Sequence, residues 1–235
     1  MGGAIRQARG RFITFEGVEG SGKTTQVSNS AERLRKLGWT VLETREPGGT
    51  SVGEQVREVM LKRANDRLTA LAEAFLVMAA RAQHVHEVVR PALAAGAVVL
   101  CDRFADSTLA YQGYGRGLDI QALRRLNRLA TAGLTPDMTI VFDVPVAIGL
   151  RRRRALREVN RLDMESLSFH ERVRKGFLRL ARQEPRRIKI VRAAAAQAEL
   201  SDTVVDLIER CLEHPMPASR RHRSSVRHSR SSGIG

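Results

Sequence analysis

Aromatic residues are scarce in this chain: one Trp, two Tyr and seven Phe among 235 residues, 4% in all. Proteins that hold single-stranded nucleic acid stack bases on exposed rings beside basic residues. A net charge of +15 therefore does not by itself mark a nucleic-acid reader. Cysteine is scarcer still. Cys101 and Cys211 stand far apart, which leaves no disulfide framework and no Cys/His zinc spacing, and fits a reducing cytoplasm. No apolar run approaches the roughly 18 residues of a transmembrane helix. The basic start MGGAIRQARGR lacks the apolar stretch of about 7–15 residues that a secretory signal carries, and Arg6 stands where a myristoylation site places Ser or Thr. Acid is missing from the end: after Glu213 the segment 214–235 has five Arg and no Asp or Glu. It is rich in Pro, Ser and Gly, so it reads as a basic disordered tail, able at most to attract nucleic acid non-specifically and salt-sensitively.

What is present is a regular alternation. Five short β-rich apolar runs, at 11–16, 40–45, 97–102, 138–144 and 187–192, are separated by helical patterns at 22–37, 51–62, 69–94, 119–131, 145–158, 167–182 and 198–213. Several runs are continuously apolar, as in strands covered on both faces. Repeated β-α units with crossovers predict an α/β fold, a doubly wound five-stranded parallel sheet with helices on both faces. Apolar residues make up 43% of the chain, enough for one core over 11–213, with a flexible stretch at 1–10.

EGVEGSGKTT, residues 16–25, lies between the first strand pattern and the first helix pattern. Gly17, Val18, Glu19, Gly20, Ser21, Gly22, Lys23 and Thr24 satisfy GxxxxGK[ST] in strand–loop–helix context. The glycines let backbone amides surround a polyphosphate at a helix N-terminus. Lys23 supplies a mobile cation for the β- and γ-phosphates of ATP, and Thr24 a hydroxyl for Mg²⁺. The motif predicts the P-loop NTPase fold without fixing a reaction. No NKxD guanine reader occurs, which counts against a regulatory GTPase.

A second set of polar motifs falls at strand C-termini, where open α/β sheets bind ligands: TREPGGT (44–50), AARAQH (79–84) and CDRFADSTLAYQGYGRG (101–117). Asp102-Arg103 ends an apolar strand, and a charged pair there belongs at a cleft rather than in a core. Asp102 can reach a Mg²⁺ shell, and Arg103 can clamp a monophosphate. Arg81 stands in a mostly apolar helix and needs a partner. Glu46-Pro47-Gly48-Gly49 makes a tight turn after Arg45.

In this order and spacing, over about residues 11–212, these motifs closely resemble the thymidylate kinase family. The resemblance implies phosphoryl transfer from ATP to dTMP with Mg²⁺, and a homodimer. It gives Lys23, Asp102 and a lid arginine the catalytic roles, with Thr24 and Asp102 near the metal. Arg45 and Arg103 would face the acceptor phosphate, and Glu19 the sugar 3′-hydroxyl. Arg81 would reach the thymine carbonyl, with Ser107, Thr108, Tyr111 and Gln112 around the base. The bond before Pro47 is expected to be cis. One departure stands out: Val77 occupies the position where the family commonly stacks an aromatic ring on thymine. This leaves a related nucleoside monophosphate kinase with another base preference, or an ATP-binding regulator, as the alternatives.

The arginine-rich stretch 151–161 follows the fourth strand and predicts a lid at about 149–163, a position suited to stabilising charge on a transferred phosphoryl group. The phosphate loop contains no Arg, so the resemblance requires the lid to provide the catalytic one. Arg157 and Arg154 are the candidates, and Arg161 is a further expected ATP contact in the family's Asp-Arg position, here Asn160-Arg161.

Overall fold

The computed structural model describes residues 10–155, 159–193 and 197–213. Five strands, β1 (Arg11–Glu16), β2 (Val41–Arg45), β3 (Val98–Asp102), β4 (Met138–Asp143) and β5 (Ile188–Arg192), form one sheet in the order β2-β3-β1-β4-β5. Every pairing is parallel. Its helices are α1 (Lys23–Lys36), α2 (Ser51–Leu61), α3 (Ala70–His84), α4 (Arg90–Ala94), α5 (Ala105–Thr108), α6 (Ile120–Ala130), α7 (Val146–Ala155), α8 (Leu167–Gln183) and α9 (Gln197–Glu213). The pattern expected at 69–94 is α3 and α4 joined by a π-helical turn, Val85–Val89. The sequence reading missed a helix: α5 runs on as a π-helical segment, Leu109–Gly115. The helix expected to 158 is described only to Ala155; 156–158 lie outside the described residues, as do 1–9 and the tail 214–235.

β1 explains why the centre of the sheet is apolar. Ile13 and Phe15 are fully buried in a cluster with Val27, Ala31 and Leu34 of α1 and Val204 and Ile208 of α9. Phe12 joins a second cluster with Val85, Val89, Val99 and Phe104, meeting Phe104 edge-on at 4.8 Å between ring centres. Burying such side chains contributes roughly 1.5–3 kcal/mol each.

The register sets the chemistry. Arg45 of β2 is level with Asp102 of β3, and Asp102 with Phe15 of β1. Three strand ends thus deliver Arg45, Asp102 and the start of the phosphate loop to one edge of the sheet. From β1 the chain runs past β3 to the edge strand β2, whereas from its other neighbour β4 it runs to β5 on the opposite side, so the β1–β4 junction is the topological switch point where such sheets bind ligands.

Candidate active site

The phosphate loop is shaped by close backbone approach. Gly20 has φ +65°, and a Cβ there would lie 2.0 Å from the Gly149 carbonyl oxygen of α7. Gly22 is left-handed and precedes α1 with no side-chain cap and no acid in the first turn. By contrast Thr50, Thr69, Asp119 and Ser166 cap α2, α3, α6 and α8. The α1 amides are thus left for an anion. Lys23 Nζ donates to the Val18 carbonyl at 2.9 Å and to Ser21 Oγ at 3.1 Å. Burial, then Arg103, lowers the Lys23 pKa to about 8, against the pull of Asp102, Glu19 and Glu16. A polyphosphate is the partner that reverses this shift.

Thr24 Oγ1 donates to Asp102 Oδ2 at 2.5 Å. Asp102 Oδ1 is buried with no hydrogen-bond partner among the described residues. A hydroxyl beside a carboxylate with an unengaged oxygen is a hard-oxygen donor set suited to Mg²⁺, which usually takes one or two protein oxygens plus phosphate and water.

A cleft of about 740 Å³ joins the loop to the second motif set. Glu19, Gly20, Ser21, Gly22, Lys23 and Thr24 line one end; Gly17 and Val18 of the same loop are not among the lining residues. Arg45, Asp102 and Arg103 line the middle, and Val77, Arg81, Ser107, Thr108, Tyr111 and Gln112 the far wall. Arg103 adopts φ +71°, a conformation costly for a side-chain-bearing residue. It is held there by bonds to the Gly17 carbonyl (2.9 Å), Ser107 Oγ (3.2 Å) and Glu19 Oε1 (3.1 Å), and it lies over the Tyr111 ring at 4.9 Å. Tyr111 donates its hydroxyl to the same Glu19 oxygen at 2.6 Å. Burial pushes the Glu19 carboxyl up, but His170, Arg103, Lys23 and Tyr111 together bring it down to about 2. His170 Nδ1 lies 3.2 Å from Glu19 Oε2, without the alignment of a full hydrogen bond.

Arg81 has its partner inside the protein. Its Nε donates to Glu46 Oε2 (2.7 Å), Nη1 to Thr108 Oγ1 (2.9 Å) and Asn127 Oδ1 (2.5 Å), and Nη2 to the Phe104 carbonyl (3.0 Å). Among the described residues four of its five N–H groups are engaged, leaving one Nη2 proton for a ligand acceptor. Glu46 precedes a cis bond to Pro47 and also meets His84 Nδ1 at 3.0 Å.

The lid arginines divide. Arg154 is exposed on α7, and Arg157 lies outside the described residues. Arg161 is buried behind the cleft, bonded to Glu73 and to the Met60 carbonyl. The cleft instead takes Arg152 and Arg153. Arg152 donates to the Ala193 carbonyl at 3.2 Å and Arg153 to Asp163 at 3.0 Å.

Besides Arg152 and Arg153, sequence reasoning missed Arg57, Glu73, Asn127 and His170. Arg57 lines the cleft beside Arg45 and donates to the Pro47 carbonyl at 3.0 Å. Its pKa falls below the ordinary arginine value through burial and the neighbouring Arg45. A signal existed for Glu73: a lone carboxylate in an apolar helix pattern, one and two turns before Val77 and Arg81.

A five-stranded parallel sheet with a phosphate loop at its switch point, and a second cationic pocket sharing the same cleft, defines a P-loop NTPase-type α/β protein. The family model for thymidylate kinase matches residues 15–204. Thymidylate kinases of Geobacter sulfurreducens and Thermomicrobium roseum are 50% and 53% identical over 205 and 194 residues. These alignments span 85% and 82% of this chain, and 96% and 91% of the relatives. The crystal structure of thymidylate kinase from Ehrlichia chaffeensis is similar with a TM-score of 0.69 at 35% identity, over 85% of this chain and 98% of that one. The chain belongs to the thymidylate kinase family.

Proposed function

We propose that this chain transfers the γ-phosphoryl group of ATP to dTMP, giving ADP and dTDP, in the supply of dTTP. The observation that carries the reading is the single cleft holding both Lys23 of the phosphate loop and Arg103, whose guanidinium is fixed 2.9 Å from the Gly17 carbonyl of that loop. Donor and acceptor phosphates would meet between these two cations. Phosphoryl transfer needs positioning and charge stabilisation more than covalent chemistry.

In this reading Lys23 holds the donor β- and γ-phosphates and the uncapped α1 amides the rest of the chain of phosphates. Arg45, Arg57 and Arg103 hold the acceptor phosphate. Glu19, kept ionised, accepts the sugar 3′-hydroxyl proton in a hydrogen bond. Val77 covers one face of the base, Arg81 offers its remaining proton to a base carbonyl, and Ser107, Thr108, Tyr111 and Gln112 enclose it. Thr24 and Asp102 would hold Mg²⁺, which supplies charge neutralisation on the transferred group. Arg152 and Arg153 join Arg154 and Arg157 as lid candidates over the donor, while Arg161 is engaged by Glu73.

A homodimer is supported by Leu71 and Phe75 of α3, exposed at 52% and 51% beside Val52 and Val59 of α2, an apolar patch of the kind that marks an interface. Free Cys101 and Cys211 support a reducing cytoplasm. No helix among the described residues is long and apolar enough to cross a membrane.

The test is ADP formation from Mg·ATP with dTMP, dUMP, dCMP, dGMP, dAMP and UMP as acceptors. Turnover with dTMP, and weaker turnover with dUMP, is the expected result. Preference for another acceptor would replace the substrate assignment, and no turnover with any of them would overturn the kinase reading.

A further inference from the structure

Behind the far wall of the cleft one carboxylate gathers three side chains. Glu73, fully buried in the first turn of α3, accepts from Gln112 Nε2 at 2.7 Å, from Arg116 Nε and Nη2 at 3.3 and 3.1 Å, and from Arg161 Nη2. Burial pushes its pKa up, but Gln112, Arg116 and Arg161 outweigh that and hold it below the ordinary carboxylate value. It is an acceptor and nothing else.

That constrains Gln112. An amide has one end that donates and one that accepts, and its orientation follows from its fixed neighbours. With an ionised carboxylate on one side, Gln112 must turn its NH₂ group to Glu73. Its Oε1 then belongs to the cleft, which Gln112 lines, and no described residue donates to that oxygen. Glu73 cannot turn away: two arginines fix it from the other side, one of them also bonded to Glu165 at 2.7 Å and the other to the Met60 carbonyl at 2.9 Å.

We propose that Glu73 is the specificity-determining positioning residue of the acceptor pocket, fixing the Gln112 carbonyl toward the base so that the site takes a pyrimidine carrying an N3–H and rejects one whose N3 is a lone pair. This rests on the dTMP kinase reading above. Thymine and uracil present the N3–H; cytosine presents an acceptor. Against a fixed carbonyl, cytosine leaves two acceptors facing each other in a largely desolvated pocket. Unpaired buried polar groups of this kind are what give enzymes strong discrimination. Glu73 touches no substrate itself and acts only through Gln112.

The experiment compares kcat/KM for dTMP and dCMP in the native protein, Glu73→Gln and Glu73→Asp, with thermal melts as a check on folding. Glu73→Gln is similar in size but can donate as well as accept, so Gln112 is free to flip. The expected result is a fall of about tenfold or more in the dTMP-to-dCMP preference, carried by KM for the acceptor, with KM for ATP unchanged within about twofold and recovery in Glu73→Asp. A folded Glu73→Gln that keeps the native preference within roughly threefold overturns the proposal. If Glu73→Gln does not fold, Gln112→Leu decides: loss of the preference supports the assignment, and retention overturns it. A native protein that does not phosphorylate dTMP overturns the kinase reading and the proposal with it. Native preference that survives in the folded variant overturns the role of Glu73 alone.

Discussion

Glu16→Gln should make the protein more stable at alkaline pH while leaving it unchanged in mild acid. Glu16 closes β1 with no exposed surface. Its Oε1 accepts the Phe104 and Ser107 amides at 2.8 and 3.2 Å, and its Oε2 the Ser107 hydroxyl at 2.6 Å. Burial, and then the charge of Asp106, raise its pKa from 4.5 to about 7, although Arg103 and these hydrogen bonds pull the other way. The folded state therefore holds the Glu16 proton more tightly than the unfolded chain. The resulting stability is complete below pH 4.5, is lost as pH rises through about 7, and does not fall further beyond that. At roughly 1.4 kcal/mol per pH unit the interval amounts to about 3 kcal/mol.

Glutamine cannot ionise. Its carbonyl can keep both amide bonds, and its NH₂ can donate to Ser107 Oγ. Urea unfolding of both proteins from about pH 5 to 8.5 measures the difference directly, and subtracting one curve from the other removes groups common to both, such as Glu19. The expected difference is near zero at the acid end and grows to about 2–3 kcal/mol at the alkaline end, or several degrees in Tm. Parallel curves would show that Glu16 is already ionised in the folded protein at pH 5 and would refute the reasoning.

Three further outcomes follow from the cleft. Arg103→Lys keeps the charge but not the fork that reaches Gly17, Ser107 and Glu19 together; kcat/KM for the acceptor should fall by about a hundredfold or more in steady-state assays, with the far-ultraviolet dichroism unchanged. Val77→Phe places a ring on the cleft wall beside Arg81, and KM for dTMP should drop by about 2- to 10-fold, from the roughly 0.5–1.5 kcal/mol that ring stacking adds; an unchanged or raised KM would sink that idea. Gly149→Ala sets a Cβ 2.4 Å from the Glu19 carbonyl oxygen, so although Ala favours helices, α7 must shift away from the phosphate loop; a loss of about 1–3 kcal/mol in urea unfolding together with a raised KM for ATP is expected, and wild-type values for both would exclude the tight contact.

How far the sequence is legible follows the distance between chemical partners. The phosphate loop is complete within eight consecutive residues, so its motif, flanking strand and flanking helix could all be read in one window. The five strands are legible because a parallel sheet buried on both faces leaves uninterrupted apolar runs. Their observed ends fall within a residue of expectation, as with Val41–Arg45 against 40–45. The helix at 105–115 is not legible, because Ser, Thr and two glycines give it the composition of a loop. Tertiary packing decides it instead: a Cβ on Gly113 would meet Ile120 at 2.4 Å, and one on Gly115 would meet Phe169 at 2.8 Å. The glycines are there to let α6 and α8 close in.

The far wall of the cleft was hidden for the same reason. Arg81 could be recognised as a buried cation in want of a partner, yet its acceptors come from the turn at Glu46, from Thr108 and from Asn127 of α6, three places that no local pattern joins. The same reasoning applied to the carboxylate two turns earlier would have flagged Glu73, because an acid in an apolar helix stripe demands donors as surely as an arginine demands acceptors. The expected ATP contact at Arg161 shows the limit from the other side. Its place in a basic run suggested a phosphate, whereas its nearest anion is Glu73 and its nearest carbonyl Met60. A run of like charges says only that the segment needs anions. Whether a given arginine finds its anion in the protein or in a nucleotide depends on which helix packs beneath it, and α3, with its single buried carboxylate, supplies that anion within the protein to Arg161 but not to Arg152, which among the described residues bonds a backbone carbonyl and lines the cleft.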